Sequence, residues 1–131
     1  MLKRRLAASL ITAAATGLAV FGAGGTAQAA NDYLIVYGVG SNSAGGQIGH
    51  IDDGDSFEVK DLMADGHGVR GTLYNEDFVV LKSSYNGNGN NSTTRFSYDV
   101  KGGVRYYMRI CLVDGYTDTS PVKCATESIA E

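Results

Sequence analysis

Val104-Arg105-Tyr106-Tyr107-Met108-Arg109-Ile110-Cys111-Leu112 alternates without a break. Val104, Tyr106, Met108, Ile110 and Leu112 share one face. Arg105, Tyr107, Arg109 and Cys111 share the other. A period of two is a half-buried strand, because successive side chains of a strand point to opposite sides. Downstream, a loop from Asp114-Gly115 to Pro121 leads into a second strand segment, Val122 to Ile129. Cys124 then lies opposite Cys111, and an even cysteine count outside the cell reads as a disulfide. That bond closes a loop of about a dozen residues, worth roughly 3 kcal/mol by the chain-entropy relation.

Upstream the same pattern repeats. Gly102-Gly103 marks a turn, and Thr94, Phe96, Tyr98 and Val100 form one face of the preceding strand. Asn86-Gly87-Asn88-Gly89-Asn90-Asn91 is a loop, since Asn and Gly tolerate positive φ. Phe78 to Leu81 and Val69 to Tyr74 are strands around an Asn75-Glu76-Asp77 turn. Ser56 to Leu62 alternates, with Phe57 and Val59 on one side and Glu58 and Lys60 on the other. Gln47 to Ile51 and Tyr33 to Tyr37 complete the set, separated by a Gly/Ser-rich loop at 38–46. One proline, eighteen glycines and abundant Val, Thr and Tyr favour strands and turns throughout. Seven or eight short strands at this spacing predict an all-β domain spanning 30–131, a β-sandwich.

Residues 1–29 read differently. Lys3, Arg4 and Arg5 precede an uncharged stretch from Leu6 to Phe21, then small residues and the Ala27-Gln28-Ala29 cleavage pattern. These are the three parts of a secretory signal, so the mature chain is expected to start at Ala30 and to be secreted, extracellular, free or wall-associated. The apolar part is too short and too rich in Gly and Ala for a membrane span. The mature part carries all fourteen acidic residues and eight basic ones, a net charge of −6. That sign opposes nucleic-acid binding and adhesion to anionic lipid.

Tyr98 to Glu131 resembles the end of an immunoglobulin- or fibronectin type III-like sandwich, where a turn, a long Tyr-containing strand and a last strand follow in order. The resemblance implies a small immunoglobulin-like β-sandwich of about seven strands. The absence of Trp and a disulfide within one hairpin depart from antibody domains, which leaves a jelly roll or small barrel open. Phe57-Glu58-Val59-Lys60-Asp61, Ala64-Asp65-Gly66-His67-Gly68-Val69 and the hairpin from Arg109 to Cys124 are similar to a pattern of small exported actinomycete proteins. That group has no established activity, so the resemblance implies a bacterial exported β protein and carries over no catalytic or binding residue.

Chemistry is sparse at this level. Asp52, Asp53, Asp55, Glu58, Asp61 and Asp65 crowd one segment, but Phe57 falls where a calcium loop needs an oxygen ligand. They read as a solvated turn and strand edge. His50 precedes an acidic turn and His67 sits between two glycines. Either beside a carboxylate in a pocket would be a general base or a metal ligand; both standing alone on the surface would remove the enzyme reading. No nucleophile elbow occurs. Two cysteines without clustered histidines make no structural zinc site.

The expectation is therefore a non-enzymatic binding or structural domain with no catalytic residue, metal site or cofactor. Its partner would be a protein or a cell-wall polysaccharide. Arg105, Tyr107 and Arg109 form the candidate binding surface, since an exposed Arg-Tyr-Arg row is what partner surfaces favour. Cross-strand packing or a tyrosine-corner contact also explains Tyr107. The alternative is a secreted inhibitor of a protease or other hydrolase, presenting the loop at 114–121.

Overall fold

Phe57 and Val59 are fully buried, while Glu58 and Lys60, which alternate with them, reach solvent. This alternation, repeated along the chain, produces two sheets that close over their apolar faces. The computed structural model describes residues 30–131. The expected signal peptide, residues 1–29, lies outside the described residues. Eight strands follow in order: β1 (Asp32–Tyr37), β2 (Ala44–Ile51), β3 (Ser56–Asp61), β4 (Gly68–Tyr74), β5 (Val80–Asn86), β6 (Thr93–Ser97), β7 (Arg105–Val113) and β8 (Lys123–Ala130). All pairings are antiparallel. No helix occurs among the described residues.

One sheet runs β1-β2-β3-β6 and the other β5-β4-β7-β8. The chain changes sheet between β3 and β4, returns between β5 and β6, and changes again between β6 and β7. Set aside the edge strand β1, and the orders β2-β3-β6 and β5-β4-β7-β8 are those of A-B-E and C′-C-F-G in an immunoglobulin-type Greek key. The expected sandwich is present, with eight strands.

The core joins Val36, Ile48, Phe57 and Val59 of the first sheet to Val69, Leu73, Met108, Ile110 and Leu112 of the second. Burying each such side chain contributes about 1.5–3 kcal/mol. Gly71 marks a close approach of the sheets: a Cβ there would overlap Cγ2 of Val59 and stand 3.0 Å from Cδ1 of Ile48. Tyr106, at the start of β7, turns inward, and its hydroxyl accepts from the Lys101 backbone N–H at 3.1 Å. This is a tyrosine corner. It belongs to Tyr106, not to the outward-facing Tyr107.

Cys111 and Cys124 are register partners on β7 and β8 and are disulfide-bonded, as expected. Phe78 to Leu81 departs from expectation. Phe78 takes a left-handed φ of 58° at the tip of the β4–β5 hairpin, where it and Val79 are more than half exposed. The strand starts at Val80, because the Asn75 side chain accepts from the N–H groups of Asp77 and Val79 and extends the turn. Val104 is also partly exposed, since β7 begins one residue later.

Candidate functional site

The two histidines lie in two different constellations. The first forms where β4 and β7 end together. Gly68 and Val113 are register partners, so His67, just before β4, meets Asp114, just after β7. His67 Nδ1 stands 2.6 Å from Asp114 Oδ1. An ionised carboxylate only accepts, so Nδ1 carries the proton and Nε2 is the nitrogen left for chemistry. Both partners are fixed in turn. The His67 N–H donates to Asp65 Oδ1 at 3.0 Å, and the Asp114 N–H donates to Asp118 Oδ2 at 2.8 Å.

The pair lines an open cleft of about 460 Å³ together with Asp61, Met63, Tyr85 and Asn90. Asp61 is the last residue of β3 and is 2% exposed. Burial pushes its carboxyl above the ordinary carboxylate range. The Met63 N–H, donating at 3.2 Å, works against that, and the charge of Asp65 works with it. The third wall is the Asn/Gly loop at 87–91, held by Asn86. The Asn86 amide is fully buried and donates to Val59 O at 3.1 Å and Ser92 O at 2.9 Å. Its oxygen accepts from Asn88 N–H at 3.0 Å and Ser92 Oγ at 2.8 Å.

The second constellation sits at the other end of β3. His50 is 2% exposed and stacks on Phe57 with ring centroids 4.8 Å apart. Its Nε2 lies 3.0 Å from Asp55 Oδ1, and its Nδ1 lies 3.8 Å from Asp32 Oδ2. Asp55 occupies a left-handed turn position, φ 48°, and accepts from the Val100 N–H at 3.0 Å. Burial pushes its carboxyl up, but the His50 and Val100 hydrogen bonds outweigh this and hold it below the ordinary range. Glu131 arrives from beyond β8, and His50, Asp52, Asp55 and Glu131 each bring one ligand atom within 4.8 Å of the others. A hydrogen bond with Asp52, then burial, holds the Glu131 carboxyl above its ordinary value.

The acidic segment is thus divided. Asp52 and Asp55 join His50, Asp61 and Asp65 join His67, and Glu58 pairs with Arg95 and with Lys60. Glu131 and Asp114 were not expected at either site; only strand register brings them there.

Arg105, Tyr107 and Arg109 lie on the outer side of β7 as predicted. Phe78 stacks on Tyr107 at 4.2 Å between centroids, so packing within the sheet covers much of that ring. Arg109 Nε is buried, with no hydrogen-bond partner among the described residues. The 114–121 loop folds back over this sheet. Arg70 donates to the carbonyls of Asp118 (2.7 Å), Gly115 (3.4 Å) and Tyr116.

No family model and no curated protein matches the chain. Among solved structures, the crystal structure of an endonuclease/exonuclease/phosphatase from Beutenbergia cavernae DSM 12333 is similar. Its TM-score is 0.51 at 19% identity, over 76% of this chain and 27% of that one. The likeness concerns the fold, and the chain spans about a quarter of its neighbour's length. That neighbour corrects the expectation of a non-enzymatic binding or structural domain, which the fold does not support. A sandwich of this shape forms part of a hydrolase chain, so the architecture excludes no catalytic role. Neither histidine stands alone, which was the condition for discarding an enzyme.

Proposed function

We propose that the chain is an exported acid–base catalyst of the hydrolase class, working in the His67 cleft. One observation carries the reading: an imidazole oriented by a carboxylate and a second, buried carboxyl line the same cleft. His67 Nε2 takes a proton from water as the oxygen attacks an ester-type centre. Asp61, its carboxyl pushed upward by burial, is the group placed to give a proton to the leaving oxygen. Water is thereby added across the broken bond, and proton exchange with solvent resets both groups. Asp114 does not react; it holds the ring and stabilises the imidazolium, the role of an orienting carboxylate. Gly87, Gly89 and Asn90 of the 87–91 loop line the same cleft.

Export is part of the proposal. The disulfide suits an oxidising compartment. No helix among the described residues is long and apolar enough to cross a membrane. The resemblance to exported actinomycete proteins points the same way. The test is to express the full chain in a bacterial host and collect it from the medium. It is then assayed on chromogenic carboxylic esters, phosphomonoesters, phosphodiesters and glycosides. A product starting at Ala30 with activity that falls at least a hundredfold in H67Q is expected. Protein retained in the cell counts against export. Inactivity on every substrate, or activity untouched by H67Q, refutes the catalytic reading.

A further inference from the structure

The His50 constellation is separate from the cleft and has an electrostatic problem of its own. Three carboxylates converge on one imidazole, with a fourth, Asp32, on the far side of the ring. One buried atom of the group, Asp52 Oδ1, has no hydrogen-bond partner among the described residues. An unpartnered buried polar atom is unfavourable unless something else supplies the missing interaction.

The arrangement is also built rather than incidental. Phe57 fixes the imidazole plane by stacking, and the Val100 N–H fixes Asp55. The four ligand atoms come from the end of β2, the turn after it and the end of the β8 segment, so folding is needed to assemble them. Ligand atoms on tetrahedral zinc stand about 3.3 Å apart, given metal–ligand bonds near 2.0–2.1 Å. Nε2 and Asp55 Oδ1 are already 3.0 Å apart, and the other two ligand atoms, within 4.8 Å, would close in by up to about 1.5 Å on binding. Asp32 then faces Nδ1 on the opposite side of the ring, the position of the outer carboxylate that orients a metal-bound histidine.

We propose that His50, Asp52, Asp55 and Glu131 bind one divalent transition-metal ion of the zinc class, with Asp32 as the positioning carboxylate. This departs from the expectation of no metal site. One imidazole among three carboxylates selects such an ion over calcium, which takes six to eight oxygens. The ion links the first turn of one sheet to the chain end leaving the other.

Isothermal titration of the secreted chain with Zn²⁺, Mn²⁺ and Ca²⁺ tests this, with Co²⁺ absorption as a second readout of a nitrogen-containing site. One equivalent of Zn²⁺ is expected, with Ca²⁺ weaker. E131Q and D52N alter exposed or half-exposed side chains. Each should weaken Zn²⁺ at least tenfold while leaving the far-UV circular dichroism unchanged. D32N should weaken it less, and H67Q should leave the stoichiometry at one. No binding, tighter binding of Ca²⁺ than of Zn²⁺, or Zn²⁺ binding lost in H67Q but retained in E131Q and D52N would each overturn the assignment. None of these readouts depends on hydrolytic activity, so this site and the cleft succeed or fail separately.

Discussion

Asn86→Ala should be among the most destabilising single changes outside the apolar core. Asn86 ends β5 with its side chain fully buried, and it spans the two sheets: the amide donates to Val59 on β3 and to Ser92 before β6. Its oxygen collects Asn88 N–H and Ser92 Oγ. Four hydrogen bonds at about 1 kcal/mol each give about 4 kcal/mol, and buried partners left unpaired add to that. Ser92 O keeps the Asp61 N–H, at 3.1 Å, which trims the loss. The expected cost of about 3–4 kcal/mol is a large part of the stability of a small domain. Urea unfolding followed by tyrosine emission measures it, since the chain has eight Tyr and no Trp. The midpoint should fall with the slope unchanged. Ser92→Ala, which removes only the hydroxyl's bonds, should cost about 1–2 kcal/mol. A loss below about 1 kcal/mol for Asn86→Ala would show that the amide does not organise the loop, and the third wall of the cleft would need another explanation.

Three further outcomes follow from the structure. D61N should stabilise the fold while abolishing hydrolysis. A raised carboxyl favours the fold fully below its unfolded value, 3.8, and that favour is lost as pH rises through the higher folded value. D61N has no such loss, so its advantage in urea midpoint should open across that window and then stay constant; a pH-independent difference would contradict it. G71A should destabilise by about 1–3 kcal/mol, because the new methyl meets a β-branched side chain with no room to turn; thermal unfolding reads this directly, and an unchanged midpoint refutes the close approach. Reducing Cys111–Cys124 should cost about 3 kcal/mol for its 13-residue separation, checked by urea titration with and without reductant, equal midpoints being the contrary result.

The sandwich was legible because its strands are half buried, and half burial writes itself into sequence as alternation. β7 and β3 announce their inner faces residue by residue, and Cys111 opposite Cys124 follows from counting along one hairpin. Phe78 misled because an apolar residue beside Val79-Val80-Leu81 looks like a strand. Its place is decided by the Asn75 side chain, whose turn-extending bonds compete with the ladder. Tyr106 and Tyr107 were distinguishable only in part. Periodicity put one inside and one outside, but the tyrosine-corner bond to Lys101 depends on where the β6–β7 connection passes.

The sites were hidden for a different reason, and β3 shows it. The acidic run from Asp52 to Asp65 looks like one cluster in sequence, yet the strand between Asp55 and Asp61 separates its halves by about 20 Å at 3.3 Å per residue. Each half has its histidine close by in sequence but takes its remaining carboxylate from a strand end far along the chain. Asp114 reaches His67 across 47 residues, through the β4–β7 register. Glu131 reaches His50 through the chain end beyond β8. Alternation fixes which side of a sheet a residue faces, and it carries no information about which strands are neighbours. The chemistry of this chain lies at strand ends, where neighbourhood is everything. Two histidines that looked solitary in sequence are therefore each completed by a carboxylate from far along the chain.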